Sequence, residues 1–202
     1  MNKTMKLWML AAILICGVSF SSCGDKKKEK KEEKKVEAEA KLVFDAAACD
    51  AAVEDYLVKV VGKSYAQGDV CIASPFVIST EFGNLDDILV WGDYWVFNYN
   101  ISGDTLKTVS GGNHPGVMHL KQTKDGVEVT KFDVVANGSD NEESARKIFG
   151  DKYDAFREIN GHVEKREDVR RHFVADYLKK HNMKATMIQD YGWPAVALPQ
   201  AE

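Results

Sequence analysis

The chain has 202 residues, of which 45% are hydrophobic and 29% are charged, a composition typical of a globular protein that can bury a core. The formal net charge is −4, but residues 42–202 alone carry 17 basic and 25 acidic side chains. Because such an acidic domain repels phosphate backbones, the composition argues against nucleic-acid binding. At this length we expect a single globular domain with a tail.

The chain opens with a basic start, a short apolar run and a cysteine. Lys3 and Lys6 precede the apolar run 7–20, which is too short to span a bilayer as a stable helix but is typical of a secretory signal peptide. The residues Phe-Ser-Ser-Cys at 20–23 then resemble the lipobox of bacterial lipoproteins, although that family prefers Leu where Phe20 stands. The alternative is an ordinary cleaved signal with an incidental cysteine.

This resemblance implies a lipid-anchored protein. Residues 1–22 would be the signal peptide that signal peptidase II removes, and Cys23 would carry the lipid. Two or three acyl chains hold a protein stably on a membrane, whereas one chain alone is marginal. Gly24 stands where some lipoproteins have the Asp that retains them in the inner membrane, so the resemblance favours the outer membrane of the bacterial envelope. The domain would then face the periplasm or the cell surface.

Residues 23–41 comprise the lipidated cysteine and a charged tether. The segment 25–41 has eight lysines, six acids and almost no apolar side chains, so it has no face to bury and is expected to stay solvated. We interpret it as a spacer before the globular domain at 42–202. The alternative is that its lysines bind anionic lipid or wall polymers.

The globular domain begins with a predicted amphipathic helix. Asp45 is a suitable N-cap, and Gly62 and Gly68 supply the stop. The apolar side chains after Asp45 recur at helical spacing and predict one buried stripe, formed by Cys49, Val53, Tyr56, Leu57, Val60 and Val61.

Residues 70–135 change to a period of two, which predicts strands. Between positions 94 and 101, Trp95, Phe97 and Tyr99 alternate with the residues beside them and give one strongly aromatic face.

Glycine and proline divide this region into antiparallel strands. Ser102-Gly103-Asp104 and Lys124-Asp125-Gly126 predict tight hairpin turns. The run 111–116 contains three glycines and a proline, so we predict a loop there, with His114 at its tip.

The helical period returns after Gly138. A capping box starting at Ser139 or Asp140 predicts a short helix that ends at Gly150, and a second helix follows to Gly161. A longer helix is predicted over 162–181, and its inner face is expected to consist of Val169, Phe173, Val174, Tyr177 and Leu178. Residues 183–202 read as a partly extended apolar tail.

The predicted fold class is α+β, with an N-terminal amphipathic helix and C-terminal helices packed on an antiparallel sheet. The element order of residues 45–135 is similar to that of cystatin/NTF2-like folds. The cystatin inhibitory signature Q-x-V-x-G is absent, so this resemblance does not imply protease inhibition.

Cys49 and Cys71 are the cysteines of the domain, and in an exported protein they predict a disulfide. We expect the strand that begins near Cys71 to return along the helix and to bring Cys71 beside Cys49. The alternative is two buried free thiols.

No residue pattern predicts a catalytic, cofactor or metal site. The five histidines lack the spacing of a zinc site, and no nucleophile elbow or phosphate-binding loop is present. The candidate ligand-binding residues come from the aromatic band and the predicted loop beside it: Trp91, Tyr94, Tyr99, His114 and His119. Trp91 and Tyr94 flank Gly92-Asp93, interpreted as a turn, and are expected to be exposed. The other interpretation makes the aromatic band the core beneath the helices.

One modification signal is also present. Asp104-Thr105-Leu106 resembles the D-[S/T]-aliphatic O-glycosylation signal of some bacteria, which implies Thr105 as the acceptor.

Three functional hypotheses follow. The first is a lipid-anchored envelope protein whose acidic, non-enzymatic domain binds a partner protein or a small ligand. The second is an NTF2-like pocket enzyme, a hydrolase or isomerase, with His119 or His114 as general base. The third is a purely structural lipoprotein.

Overall fold

The computed structural model describes residues 42–200, so the predicted signal peptide, the lipid site at Cys23 and the tether lie outside the described residues. The described part is an α+β domain, as the sequence predicts. Its elements, in chain order, are α1 Ala46–Tyr56, β1 Val70–Glu81, β2 Ile88–Ser102, β3 Thr105–Thr123, β4 Gly126–Val134, α2 Asn141–Phe149, α3 Tyr153–Gly161, α4 Val163–Lys180, β5 Met187–Gln189 and β6 Val196–Ala197.

The six strands form one mixed sheet. Its order is β1-β2-β3-β5-β6, and β4 pairs with the other end of the long strand β3. The pairs β1–β2, β2–β3 and β3–β4 are antiparallel, as predicted. The pair β3–β5 is parallel, so the short strands of the C-terminal tail, which was predicted only as partly extended, make the sheet a mixed one. Parallel pairing needs a long crossover, which the three helices between β4 and β5 provide.

Helices cover both faces of the sheet. Side chains alternate along each strand, so the apolar side chains of the strands point to both faces, and each face is buried by a helix. α1 packs on the face that carries Tyr94 and Val96. On the opposite face, α4 covers Phe97 and Tyr99, while α2 and α3 cover Trp91. The aromatic band is therefore divided between the two faces.

The first helix is confirmed, but its buried stripe ends before Val60. Asp45 caps it as predicted by accepting the Ala48 N–H at 3.0 Å. Of the predicted stripe, three residues are buried: Cys49, Val53 and Leu57. Val60 is 52% exposed, contrary to the prediction. Residues Leu57–Val61 form a π-helical turn, whose wider winding rotates Val60 out of the stripe.

Residues 111–116 lie inside β3, so the predicted loop is wrong. Gly111 has φ +141°, and a Cβ atom there would lie 2.3 Å from the Val96 carbonyl oxygen, so the close approach requires glycine. The Pro115 carbonyl accepts the Val135 N–H at 2.9 Å, on the side of β3 away from β2. The nitrogen of Pro115 faces the same way, so its missing N–H costs the β2–β3 ladder nothing.

The two hairpin turns are confirmed, since β2 joins β3 and β3 joins β4 through two residues each. Gly150, with φ +52°, ends α2 as predicted. The capping box is not formed, because Asp140 precedes α2 without a side-chain hydrogen bond to its backbone.

The inner face of α4 differs from the apolar stripe that was expected. Val174 and Leu178 are buried as predicted, but Arg170 is buried with them and is only 2% exposed. Phe173 and Tyr177 are half-buried. Among the helices within residues 42–200, none is both long and apolar enough to cross a membrane.

The structure contradicts the predicted disulfide. Cys49 and Cys71 are both free. The Cys71 Sγ lies 2.4 Å from where a Cβ of Gly62 would stand. Gly62 follows Cys49 by thirteen residues of continuous helix, or roughly 20 Å at 1.5 Å per residue. Strand β1 therefore meets the helix at the end opposite Cys49, beyond the reach of a disulfide.

Strand β1 forms one edge of the sheet. Pro115 pairs with Asp93 of β2, but the Pro115 carbonyl points away from β2. The backbone N–H and C=O of Asp93 therefore point away from β3 and toward β1, where Asp93 pairs with Phe76. The neighbouring residue Pro75 therefore faces outward, at a position that needs no N–H for pairing within the sheet.

Candidate functional site

A polar cavity of about 360 Å³ lies at the middle of β3. We call it the asparagine cavity, because four asparagine side chains line it together with an imidazole and a phenol: Asn113, Asn137, Asn141, Asn160, His114 and Tyr65. Its remaining walls come from Gly112, Pro115, Val134, Val135 and Phe156. Its lining contains no carboxylate, ammonium or guanidinium group.

The pairing of β3 creates this cavity. β4 pairs with β3 from Gly116 onward, and β5 pairs with residues 105–107. Among the described strands, residues 108–115 of β3 therefore pair with β2 alone. The chain leaves β4 at this point and returns through α2 and α3, which bring Asn141 and Asn160 to face the open edge.

Two of the carboxamides are available to a ligand. Asn137 is exposed and Asn160 half-buried, and neither side chain makes a hydrogen bond to another residue between 42 and 200. Asn141 donates to the Ala136 carbonyl at 3.1 Å, which leaves its amide oxygen unused. Each carboxamide can donate two hydrogen bonds and accept others, so the cavity offers both kinds of partner.

His114 and Tyr65 form a hydrogen-bonded pair on one wall. The His114 Nε2 and Tyr65 Oη atoms are 3.0 Å apart. Burial lowers the pKa of His114, and the nearby Asp93 opposes that effect only in part. His114 is therefore neutral at pH 7, in keeping with the uncharged lining.

A buried ion pair stands behind Asn113. Asp93 is fully buried, and its two carboxylate oxygens receive Arg166 Nη1 at 2.9 Å and Asn113 Nδ2 at 3.5 Å. Arg166 also lies 4.9 Å above the Trp95 ring. This arrangement anchors the Asn113 side chain from beneath the cavity.

The five predicted ligand-binding residues do not share one site. His114 lines the asparagine cavity, but Trp91, Tyr94, Tyr99 and His119 do not. Trp91 and Tyr94 were expected to be exposed beside a turn at Gly92-Asp93, yet both are buried, because these residues continue β2 without interruption.

Each of the other four has a structural partner. The Trp91 Nε1 donates to the Ile148 carbonyl at 3.0 Å, and the Tyr94 hydroxyl donates to the Val90 carbonyl at 2.6 Å on the opposite face. Tyr99 accepts a hydrogen bond from Arg170 Nε at 3.1 Å, and burial raises its pKa to about 12.

His119 lies between two carboxylates. Its Nδ1 is 2.8 Å from Asp87 and its Nε2 is 3.3 Å from Asp133. Both ring nitrogens are therefore occupied, at a place outside the asparagine cavity.

Thr105, the predicted glycosylation acceptor, is the first residue of β3. Its hydroxyl donates to Asp104 at 3.0 Å, and its side chain is half-exposed beside the turn.

A second polar cluster surrounds Arg170. Its guanidinium binds Asp190 through Nη2 at 2.7 Å and Nη1 at 3.1 Å, and Glu167 through Nη1 at 3.1 Å. Asp190 also accepts a hydrogen bond from the Thr108 hydroxyl. The cluster fixes the chain after β5 to the sheet and to α4.

A groove of about 490 Å³ lies between α1 and α4 beside β1. Two of its lining residues have close partners: Asp55 pairs with Lys59 at 2.6 Å, and the His181 ring packs on the Tyr177 ring with 4.2 Å between the ring centroids. Within residues 42–200 no group of acidic, histidine or cysteine side chains could hold a metal ion.

Sequence reasoning identified His114 but missed the rest of the asparagine cavity. Its residues come from the segment after α1, from β3, from the end of β4 and the start of α2, and from α3, and no spacing in the sequence connects them. The run 111–116 was a usable signal, since its composition is unusual for a strand. Compared with known protein families, with curated proteins and with solved structures, the chain matches none.

Proposed function

We propose that this chain is a lipid-anchored envelope protein whose domain binds a small, uncharged ligand rich in hydroxyl or amide groups. The observation that carries the proposal is the convergence of four carboxamides, a neutral imidazole and a phenol on a cavity without a charged lining residue. The volume of about 360 Å³ lies within the range of small-ligand sites, roughly 300–1,000 Å³.

The chemistry of the lining favours a neutral ligand. A charged ligand would lose its hydration without gaining an opposite charge, which is costly. A ligand with several hydroxyl groups can instead exchange hydrogen bonds with each carboxamide in turn. Buried donors and acceptors left unpaired are expensive, so such a site rejects ligands that lack the matching groups.

Binding is tested by calorimetry on the full chain, held in a detergent without a sugar headgroup so that the detergent does not compete. The probes are glucose, N-acetylglucosamine and inositol, with glucuronate as the charged comparison. The Asn160→Leu variant removes an unengaged carboxamide and is expected to weaken binding about tenfold or more.

Asn100→Leu is the matched control, because Asn100 is an exposed asparagine at the end of β2 outside the cavity. It should bind as the wild type does. Tighter binding of glucuronate than of glucose would contradict the proposal. If none of the neutral probes binds, a structural role becomes the better hypothesis.

The lipid anchor is the second part of the proposal and is supported by the lipobox-like residues 20–23. Cys23→Ser should release the protein from membranes and remove the acyl mass, while Cys16→Ser should leave both unchanged. The outer membrane is the proposed location, and membrane fractionation of the cells that make the protein tests it. Equal release by both variants would contradict the assignment of Cys23.

Catalysis at the same cavity is the alternative function, because His114 is neutral there and able to accept a proton. Its Nε2 already contacts the Tyr65 hydroxyl, which could relay that proton. A His114→Gln variant that retains the ligand but stops its conversion would support an enzyme. Recovery of a chemically unchanged ligand from the wild type would exclude turnover of that ligand.

A further inference from the structure

The groove between α1 and α4 has part of a sheet edge as its floor. Ile72 and Ala73 of β1 line it, and among the described strands β1 pairs with β2 alone. Because Pro75 faces outward and backbone groups alternate along a strand, the N–H and C=O groups of Cys71 and Ala73 also face outward. No described residue makes a hydrogen bond to these outward groups. Ala73 is only 7% exposed, and buried backbone groups without a partner are costly.

Two helices flank this edge from opposite faces of the sheet. The Ala73 side chain packs in the core under α1, whereas the Ile72 side chain packs in the core under α4. Both line the groove together with residues of the two helices. The groove therefore lies where the next strand of the sheet would stand. Pro75 has no N–H to donate, which confines pairing along this edge to residues 70–74.

The α1 wall of the groove is acidic. Glu54 and Asp55 both line it. Asp55 pairs with Lys59 at 2.6 Å, but Glu54 forms no ion pair with another residue between 42 and 200. Burial raises the pKa of Glu54, and the charge of Lys180 opposes that effect only in part. A cation placed beside this wall would therefore be attracted to it.

The α4 wall is aromatic. The half-buried rings of Phe173 and Tyr177 line it, and apolar side chains would be buried against them. The side chains of Asp176 and Lys180 on the same wall are exposed and opposite in sign. The two walls therefore favour different side chains, cations at α1 and apolar groups at α4.

We propose that this groove binds an extended segment of a partner protein in which basic and apolar side chains alternate. Consecutive side chains of a strand point to opposite faces of the sheet, so a strand added to β1 directs every second side chain to the α1 wall and the others to the α4 wall. Its backbone completes the hydrogen bonds of Cys71 and Ala73, a mode of recognition known as β-augmentation. The groove shares no lining residue with the asparagine cavity, so this inference does not depend on the proposed ligand.

The first test measures, by calorimetry, how capped peptides of about five residues, the usual length of a strand, bind to the full chain in a zwitterionic detergent. Lysine and valine alternate in the parent peptide. A second peptide groups the same lysines in one block, and a third has serine in place of each lysine. We expect both to bind at least about tenfold more weakly than the parent, because neither offers cations and apolar groups to the two separate walls. If either binds as tightly as the parent, the proposal is overturned.

Methylation of the peptide nitrogens tests the strand pairing separately from charge. The N–H groups of alternate residues in a strand face the same neighbour. One peptide is therefore methylated at its lysine nitrogens and another at its valine nitrogens. One of them should lose binding while the other retains it, and the one that fails reports the direction of the added strand. Equal behaviour of the two peptides, whether both bind or neither does, would mean that the segment does not pair with β1.

Ala51→Arg tests the location. Ala51 is an exposed residue of α1 that lines the groove, so the added cation should weaken binding of the parent peptide by about tenfold or more. Ala155→Arg is the matched control, because it makes the same change at an exposed position of α3 outside the groove. It should bind as the wild type does. Equal binding by the two variants would place the peptide elsewhere and overturn the proposal.

A peptide with the sequence of residues 26–35, the lysine-rich part of the tether, provides the last outcome. It lacks the alternation and should bind more weakly than the parent peptide. If it binds more tightly and Ala51→Arg abolishes that binding, the groove belongs to the chain's own tether and the proposal of a partner protein is overturned.

Discussion

Strand β2 presents the two faces of the sheet side by side, and they are buried by different chemistry. Under α1, Val90 and Val96 meet an apolar core of aliphatic and aromatic side chains with no charged member. On the opposite face, each aromatic ring lies beneath a cation. Lys152 is 4.3 Å above Trp91, Arg166 is 4.9 Å above Trp95 and Arg170 is 4.2 Å above Phe97.

This difference shows that a hydrophobic pattern predicts where a sheet is covered, but not what covers it. The flat side of a guanidinium packs on an aromatic ring much as an apolar side chain does, and its N–H groups still reach carboxylates at the rim. The face under α4 should therefore respond to charge and pH, while the face under α1 should not.

The largest expected effect comes from removing Arg170. Arg170→Ala would leave Asp190, Tyr99 and Thr108 without their shared donor, and we expect it to lower the free energy of unfolding by about 3–5 kcal/mol. Urea denaturation of the full chain measures this. Arg171→Ala, which loses only a partly exposed pair with Asp168 at 3.4 Å, should cost about 1 kcal/mol or less. Equal losses would mean that the buried contacts of Arg170 add nothing beyond those of a partly exposed arginine on the same helix.

An intermediate effect is expected from acid. Burial would raise the pKa of Asp190, but hydrogen bonds from Arg170 and Thr108 outweigh burial and hold that pKa below its usual range. The stability that ionised Asp190 contributes is therefore complete above the pKa of the unfolded chain, about 3.9, and is lost as the pH falls through the lower folded value.

Stability measured from pH 6 to pH 2 should thus fall less steeply in Asp190→Asn than in the wild type. Leu57→Ala, on the other face, should lower stability by about 3 kcal/mol at each pH, because Leu57 is fully buried among apolar side chains. If the free energy of unfolding of Leu57→Ala also fell less steeply with pH than that of the wild type, the two faces would not differ in their response to acid.

The smallest effect concerns the cation above Trp91. Lys152 also pairs with Glu81 at 2.7 Å, and Lys152→Met should cost about 0.5–1 kcal/mol. High salt should reduce this cost. Lys147→Met, at an exposed position of α2, should change stability by less, and a reversed order would show that the cation above Trp91 adds nothing.

The sequence was sufficient for the elements whose periodicity is local. The cap at Asp45, the period of two along β2 and the turns at Gly103 and Gly126 each act within a few residues, and the structure confirms them. The same holds for the fold class, which follows from the order of those elements.

Failures occurred where distant contacts decide the outcome. Gly111 and Pro115 read as loop residues until β2 and the chain after β4 are placed beside them. Arg170 was not among the residues predicted for the inner face of α4, because its partners Tyr99, Thr108 and Asp190 come from three other segments. For the same reason the sequence supplied only His114 of the asparagine cavity.

The outward-facing Pro75 has a consequence for many copies of the chain held close together. An edge strand offers its free backbone groups to any neighbouring edge, and sheets that join in this way form fibres. Pro75 lies in the middle of β1 and has no backbone N–H. An edge strand of a second copy that pairs with β1 would therefore find the Pro75 carbonyl but no N–H donor at this position. Neighbouring domains can crowd against one another and still remain separate sheets.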